Sequence, residues 1–125
     1  MTIDSNIVIA YLAGDAVVIA QLSKWKEEGF PLFLPTAVEA EVLSFSKWSD
    51  AERQTTELFL EENFLTIPFD RTIARIAASI RRDARIKLPD AIVAATAVFT
   101  SSPLITRNVR DFRMVTGLQL LTIPS

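Results

Sequence analysis

Short apolar runs of strand length recur along this chain with helical periodicity between them, and this alternation restricts the possible folds more than any other feature. Met1-Thr2-Ile3 is a short opening run that stops at Asp4; Ser5 and Asn6 are turn and cap residues, and Ile7, Val8, Tyr11 and Leu12 follow at helical spacing. Pro31-Leu32-Phe33-Leu34-Pro35 is bracketed by prolines and has too short an interior for a helix, so it reads as a buried parallel strand. Phe64 to Phe69, Pro103 to Thr106 and Leu118 to Thr122 are the remaining runs. The resulting order, β-α-α-β-α-α-β-α-α-β-α-β, predicts an α/β fold in which helices wrap both faces of a central, mostly parallel sheet of roughly four to five strands.

The helices carry their own boundary signals. Asp15 follows Gly14 and caps a second helix through about Glu28, which Gly29 ends. Thr36-Ala37-Val38-Glu39 has the form of a capping box. Asp50 is placed to cap the next helix, whose Glu52, Glu57, Glu61 and Glu62 make a solvated face. Asp70-Arg71-Thr72 opens a long helix to about Arg85, with Arg71, Arg75, Arg81, Arg82 and Arg85 around an Ile73, Ile76, Ala77 and Ile80 stripe. From Leu88 to Phe99 the chain is apolar all round, with Pro89 suited to the first helical position, which predicts a central, buried helix.

With 125 residues the chain is expected to form one domain, residues 1–125, with its own core. Neither a membrane span nor a secretory signal is visible, so a cytoplasmic location is expected. The chain has no Cys and no His, which removes Cys-His nucleophiles, Ser-His-Asp triads and zinc sites built on thiolate or imidazole. Metal chemistry here must use oxygen ligands, which suit hard ions such as Mg²⁺ or Mn²⁺. A net charge of −2 hides an asymmetry. Residues 1–70 hold 4 basic and 12 acidic side chains, residues 71–125 hold 9 and 3, and the basic half is a candidate for polyanion contact.

Four acids stand at element ends or on an apolar helix face, and each has a structural reading beside a functional one. Asp4 either caps the first helix or serves as a ligand at the carboxyl end of a strand, where open α/β sheets build their sites. Glu41 falls on the face of Ala37, Val38 and Phe45, where a lone carboxylate is costly unless paired. Asp90 lies in the first turn of the predicted buried helix, favoured there by the helix dipole and equally suited to act as a rigid ligand. Asp111 follows Asn108 by three residues at the end of the fourth run, as a cap partner or as a further acid of a site. Clustered carboxylates raise one another's pKa unless a cation is present, so the set makes physical sense as a divalent-metal site.

Four stretches, Ile3-Asp4-Ser5-Asn6-Ile7, Thr36 to Leu43, Leu88 to Ala97 and Leu104 to Phe112, resemble in order and spacing the PIN-domain family and, within it, the VapC-like toxin ribonucleases of toxin-antitoxin pairs. The resemblance spans nearly the whole chain. It implies a PIN-like three-layer α/β/α fold and a Mg²⁺- or Mn²⁺-dependent endoribonuclease. By it, Asp4 and Asp90 are direct metal ligands, Glu41 binds metal or orients its water, and Asp111 completes the acidic set. Asn6, Thr106 and Asn108 support the first ligand, although many relatives carry Asp where this chain has Asn108. Arg107, Arg110 and Arg113 are candidates to hold phosphates flanking the cleaved bond. The resemblance also implies an RNA substrate, a homodimer and a cognate antitoxin in an apolar groove, with Trp25, Phe45 and Trp48 as candidate lining residues.

Two other acid-at-strand-end readings fit less well. A haloacid-dehalogenase-like phosphatase wants a second Asp where Asn6 stands, and a response-regulator receiver wants a late Lys, whereas no Lys follows Lys87. A PIN-like module that binds RNA or protein without cleaving it stays open through the amide at Asn108.

Overall fold

The computed structural model describes residues 1–125. The elements are β1 (Thr2–Ile3), α1 (Ser5–Leu12), α2 (Ala16–Glu27), β2 (Phe33–Pro35), α3 (Thr36–Leu43), α4 (Asp50–Asn63), β3 (Leu65–Ile67), α5 (Arg71–Asp83), α6 (Leu88–Phe99), β4 (Leu104–Ile105), α7 (Val109–Phe112) and β5 (Leu120–Leu121). All five strands pair in parallel, in the order β3-β2-β1-β4-β5. Strand pairing thus steps outward from β1 to β3, then returns to the other side of β1 for β4 and β5. Because such crossovers are right-handed, the reversal sends the β3-to-β4 connection, α5 and α6 packed on each other, back across the sheet. The β1/β4 boundary is the point where the chain changes direction, and the carboxyl ends of strands at such a point are where open α/β sheets place their sites.

The strands are short because each ends where a polar residue or proline stops the apolar run, yet they are the centre of the core. Ile3, Leu34, Leu104 and Ile105 are fully buried, as are Ile7 and Val8 of α1, Val38 of α3, Leu60 of α4 and Phe112 of α7. Each such side chain contributes about 1.5–3 kcal/mol by leaving water. A second cluster, Ile73, Ala77, Ala91 and Ala95, joins α5 to α6, and its alanines allow close approach. The middle of α6 is buried as its composition predicts, but its ends are not: Leu88 is 49% exposed and Phe99 48%. No helix is long and apolar enough to cross a membrane.

Two cap assignments change. Thr36 is not an N-cap: Pro35 occupies that position without a side-chain bond, because β2 runs directly into α3. The Thr36 hydroxyl instead accepts from the Phe69 N–H at 3.1 Å, tying the start of α3 to the loop after β3. The capping box lies at α4, where Ser49 Oγ accepts from the Glu52 N–H at 3.1 Å and Glu52 Oε1 from the Ser49 N–H at 2.9 Å; Asp50 is the first helical residue, not the cap. Asp15 does cap α2, accepting from the N–H groups of Val17 and Val18.

Beyond α6 the chain turns through Ser101 at φ +52°, the one non-glycine residue in the left-handed region. Its neighbours Thr100 and Ser102 hold the turn by bonding Thr2 Oγ1 of β1 at 3.1 and 2.6 Å. Ser101→Gly removes the Cβ strain of that conformation, roughly 1–2 kcal/mol, against about 0.4–1 kcal/mol for the added freedom of the unfolded chain, so a net gain of roughly 0.5–1 kcal/mol is expected. Chemical denaturation of the two proteins side by side measures it; a loss of stability shows that the turn carries no such strain.

Candidate active site

Asp4 follows β1 at the direction change and Thr106 follows β4 beside it, so the two neighbouring strands deliver both side chains to one place at the strand ends. Asp4 is the N-cap of α1, and Oδ1 accepts from the Ser5 N–H at 2.8 Å. Capping occupies only one oxygen. Oδ2 accepts from Thr106 Oγ1 at 2.7 Å and from Asn6 Nδ2 at 3.2 Å. The structural and functional readings of Asp4 are therefore compatible in one side chain. At 5% exposure its carboxylate is largely desolvated. Burial pushes its pKa above the ordinary carboxylate range, and the nearby charge of Glu41 adds to this, against the bonds from Thr106, Ser5 and Asn6.

Asn6 and Thr106 form the frame around that carboxylate. Asn6 Nδ2 also donates to Thr106 Oγ1 at 3.2 Å, and its Oδ1 accepts from the Arg107 N–H, again at 3.2 Å. The N–H of Asn108 donates to Thr106 Oγ1 at 2.9 Å. The amide and hydroxyl thus lock the ends of β1 and β4 together around Asp4, and no buried side-chain nitrogen or oxygen is left without a partner.

Asp90 projects from the first turn of α6 and is partly buried. Its pKa is raised by burial first, then by the negative charges of Asp4 and Asp111, with Lys87 acting the other way. Asp111, on α7, accepts from Asn108 Nδ2 at 2.6 Å, so the amide and the acid work as one hydrogen-bonded unit at the exposed rim. Glu41 departs from its expected burial. It is exposed, because Val38 of the expected face turns into the core while Glu41 and Phe45 stand at an open groove, and Ser5 Oγ donates to Glu41 Oε2 at 3.0 Å. No desolvation penalty on Glu41 needs explaining.

No three of these acids are gathered closely enough to hold a metal ion. The donor set still suits a hard divalent ion. It is all oxygen, and its two most desolvated carboxylates are held protonated more readily than usual by burial and by neighbouring negative charge. Mg²⁺ commonly binds through one or two carboxylates while keeping several waters, so a closed protein cage is not required.

These shifts set a pH dependence. The folded chain holds the Asp4 and Asp90 protons more tightly than the unfolded chain, so their contribution is most favourable below the ordinary value of 3.8 and is lost as pH rises through the raised folded values. A divalent ion competes with those protons. The gain in melting temperature from Mn²⁺ over chelator is therefore expected to be small near pH 4.5 and larger at pH 7.5. A gain independent of pH counts against metal binding at these carboxylates.

Arg107 has a different task from phosphate binding. Its guanidinium Nη2 pairs with Asp15 Oδ2 at 2.8 Å and donates to the Pro124 carbonyl at 2.9 Å, while Nε donates to the Ile123 carbonyl at 3.2 Å. This side chain fastens the cap of α2 and the last residues to the end of β4, and the same pairing holds the Asp15 pKa down. Asp15 was legible only as a cap, since its partner lies 92 positions away. Ser5, likewise legible only as a turn residue, links Asp4 to Glu41. Arg110 is exposed and in no ion pair.

Beside Glu41 runs an apolar groove of about 420 Å³ lined by Ile9, Leu12, Val42, Phe45 and Trp48, with Phe45 and Trp48 in edge-to-face contact at 5.6 Å. Trp25 is absent from it and packs against the main core.

Several known proteins are similar to this chain in sequence or in fold. Ribonuclease VapC1 of Rickettsia felis is 25% identical over an alignment covering 100% of this chain and 97% of that protein. A toxin-antitoxin complex from Klebsiella pneumoniae contains a chain 30% identical, with a TM-score of 0.73 and coverage of 94% of this chain and 93% of that one. VapBC2 of Rickettsia felis, solved bound to a DNA fragment from its promoter, shares the fold at a TM-score of 0.85 and 18% identity, over 98% of each chain. Residues 1–118 match the PIN domain, and on a match of that extent, with a fold shared along nearly its whole length, this chain belongs to the PIN-domain family.

Proposed function

We propose that this chain is a metal-dependent endoribonuclease that hydrolyses RNA phosphodiester bonds at an acidic Mg²⁺ or Mn²⁺ site, as the toxin of a type II toxin-antitoxin pair. The observation that carries the reading is the desolvated Asp4 carboxylate, fixed by Thr106 and Asn6 at the sheet's direction change, with Asp90 near enough to feel its charge. Similarity to a ribonuclease and to a toxin-antitoxin complex chain supports it.

Asp4 and Asp90 are the residues that would hold the ion, and Asp111, steadied by Asn108, completes the acidic set. An ion held there supplies Lewis acidity and positive charge against the phosphate oxygens. Glu41, oriented by the Ser5 hydroxyl, is placed to position the attacking water. Thr106 and Asn6 hold Asp4 in one orientation, and Arg110 is free to pair with a flanking phosphate, which positions RNA without reading its sequence. The apolar groove takes a helical or extended segment of a cognate antitoxin, and a homodimer is the expected assembly.

Incubating the purified chain with a mixed RNA panel in Mg²⁺, in Mn²⁺ and in chelator tests the reading. Cutting that requires the metal supports it. A folded, antitoxin-free chain that binds RNA and leaves it intact with either metal replaces it with a non-catalytic RNA-binding module.

A further inference from the structure

Between the end of α5 and the start of α6 lies a groove of about 450 Å³ lined by Arg81, Ala84, Arg85, Ile86 and Lys87, with no acid in its walls. All three cations are exposed and none is in an ion pair. Arg81 Nε donates to the Ile86 carbonyl at 3.2 Å, which braces the loop and leaves the terminal guanidinium nitrogens for another acceptor. Its place in the last turn of α5 is one the helix dipole favours. Lys87 has no such explanation. It is the N-cap of α6, makes no capping bond, and puts a cation at the positive end of a helix, where Ser, Thr, Asn or Asp is preferred. What its position does supply is nearness to Asp90, three residues on, whose carboxylate feels its charge.

We infer that the Arg81, Arg85 and Lys87 groove is a phosphate track, which carries the RNA backbone away from the cleaved bond at Asp90. The inference rests on the ribonuclease reading and extends it to a surface outside the acidic site. Arg110 and Arg113 flank Asp111 in sequence, the first on α7 and the second at its C-terminal end, and Arg81, Arg85 and Lys87 precede Asp90 at the α6 start, so positive side chains border both acids. Phosphate contacts of this kind add affinity and salt dependence and carry no sequence information.

The test uses Asp90→Asn protein, so that RNA is held and not cut, with a fluorescently labelled single-stranded RNA titrated across a range of salt concentrations. Combining Arg81→Gln, Arg85→Gln and Lys87→Gln is expected to weaken binding at least about tenfold near 0.1 M salt and to flatten the slope of log affinity on log salt by roughly 2, about 0.7 for each single-strand contact. Arg71→Gln, Arg75→Gln and Arg82→Gln together remove the same charge from α5 outside the groove and are expected to change both far less. Thermal melting confirms that both triple variants fold. Equal losses in the two triples reduce the effect to net charge and overturn the track, as does unchanged RNA binding in the groove triple. If the parent Asp90→Asn protein binds no RNA, and the wild type cuts none with either metal, the ribonuclease reading itself falls and takes the track with it.

Discussion

Asp90→Asn is expected to abolish metal-dependent RNA cleavage, with a loss beyond the roughly 10–100-fold typical of a residue that merely supports a ligand. The substitution keeps the size and shape of the side chain and removes only its negative charge. That charge is one the fold opposes, since burial, Asp4 and Asp111 all raise its cost. In chelator, the variant should therefore melt at the same temperature as the wild type or higher, because a repulsion has been removed without opening a cavity. The pairing of lost activity with retained or improved stability separates a functional carboxylate from a structural one. If Asp90 were held only for the α6 dipole, Asn would lower stability by up to the roughly 0.3–1 kcal/mol that such a charge supplies, and leave cleavage intact. Divalent-metal titration followed by melting gives an independent reading: the Mn²⁺-induced stabilisation should shrink in the variant.

Thr106→Val has the second largest expected effect, and it acts through other groups. The hydroxyl is fully buried, donates to Asp4 Oδ2 at 2.7 Å and accepts from the Asn108 N–H at 2.9 Å. A methyl group in its place leaves a desolvated carboxylate oxygen with one fewer donor and a backbone N–H without its acceptor. Each unmet group costs about 1–3 kcal/mol. Stability should fall by an amount in that range. RNA cleavage and metal affinity should fall roughly 10–100-fold, because Asp4 loses the bond that sets its orientation. Thr106→Ser restores the hydroxyl and is expected to recover most of both, leaving only the cost of the missing methyl. Recovery of stability without activity in Thr106→Ser, or full activity in Thr106→Val, would show that Thr106 does not position Asp4.

Element order and sheet direction were legible from the alternation of short apolar runs with helical patterns, because a run of strand length between two helices has few other ways to bury its side chains. Asp4, Asp90, Thr106 and Asn108 were legible as residues at element ends for the same reason. Local periodicity was weaker wherever a side chain serves two elements at once. Thr36 followed by Glu39 has the spacing of a capping box, yet the hydroxyl answers an N–H 33 positions away. Glu41 has the spacing of a core-facing residue, yet only Val38 of that face enters the core, and the end with Glu41 borders an open groove beside Phe45 at 53% exposure.

What the amino-acid order alone determined was the periodicity, the turns and the all-oxygen chemistry that follows from the lack of Cys and His. What only the tertiary structure decided was which distant groups meet. Thr106 reaches Asp4 across 102 positions, and Arg107 spends its charge on Asp15 and two carbonyls rather than on a ligand. The division has one physical cause. Helix and strand patterns arise from neighbours within a few residues, whereas the partner of a buried polar group is chosen by strand order. Here the adjacency of β1 and β4, far apart in the chain, brings the carboxylate and its hydroxyl within hydrogen-bonding distance.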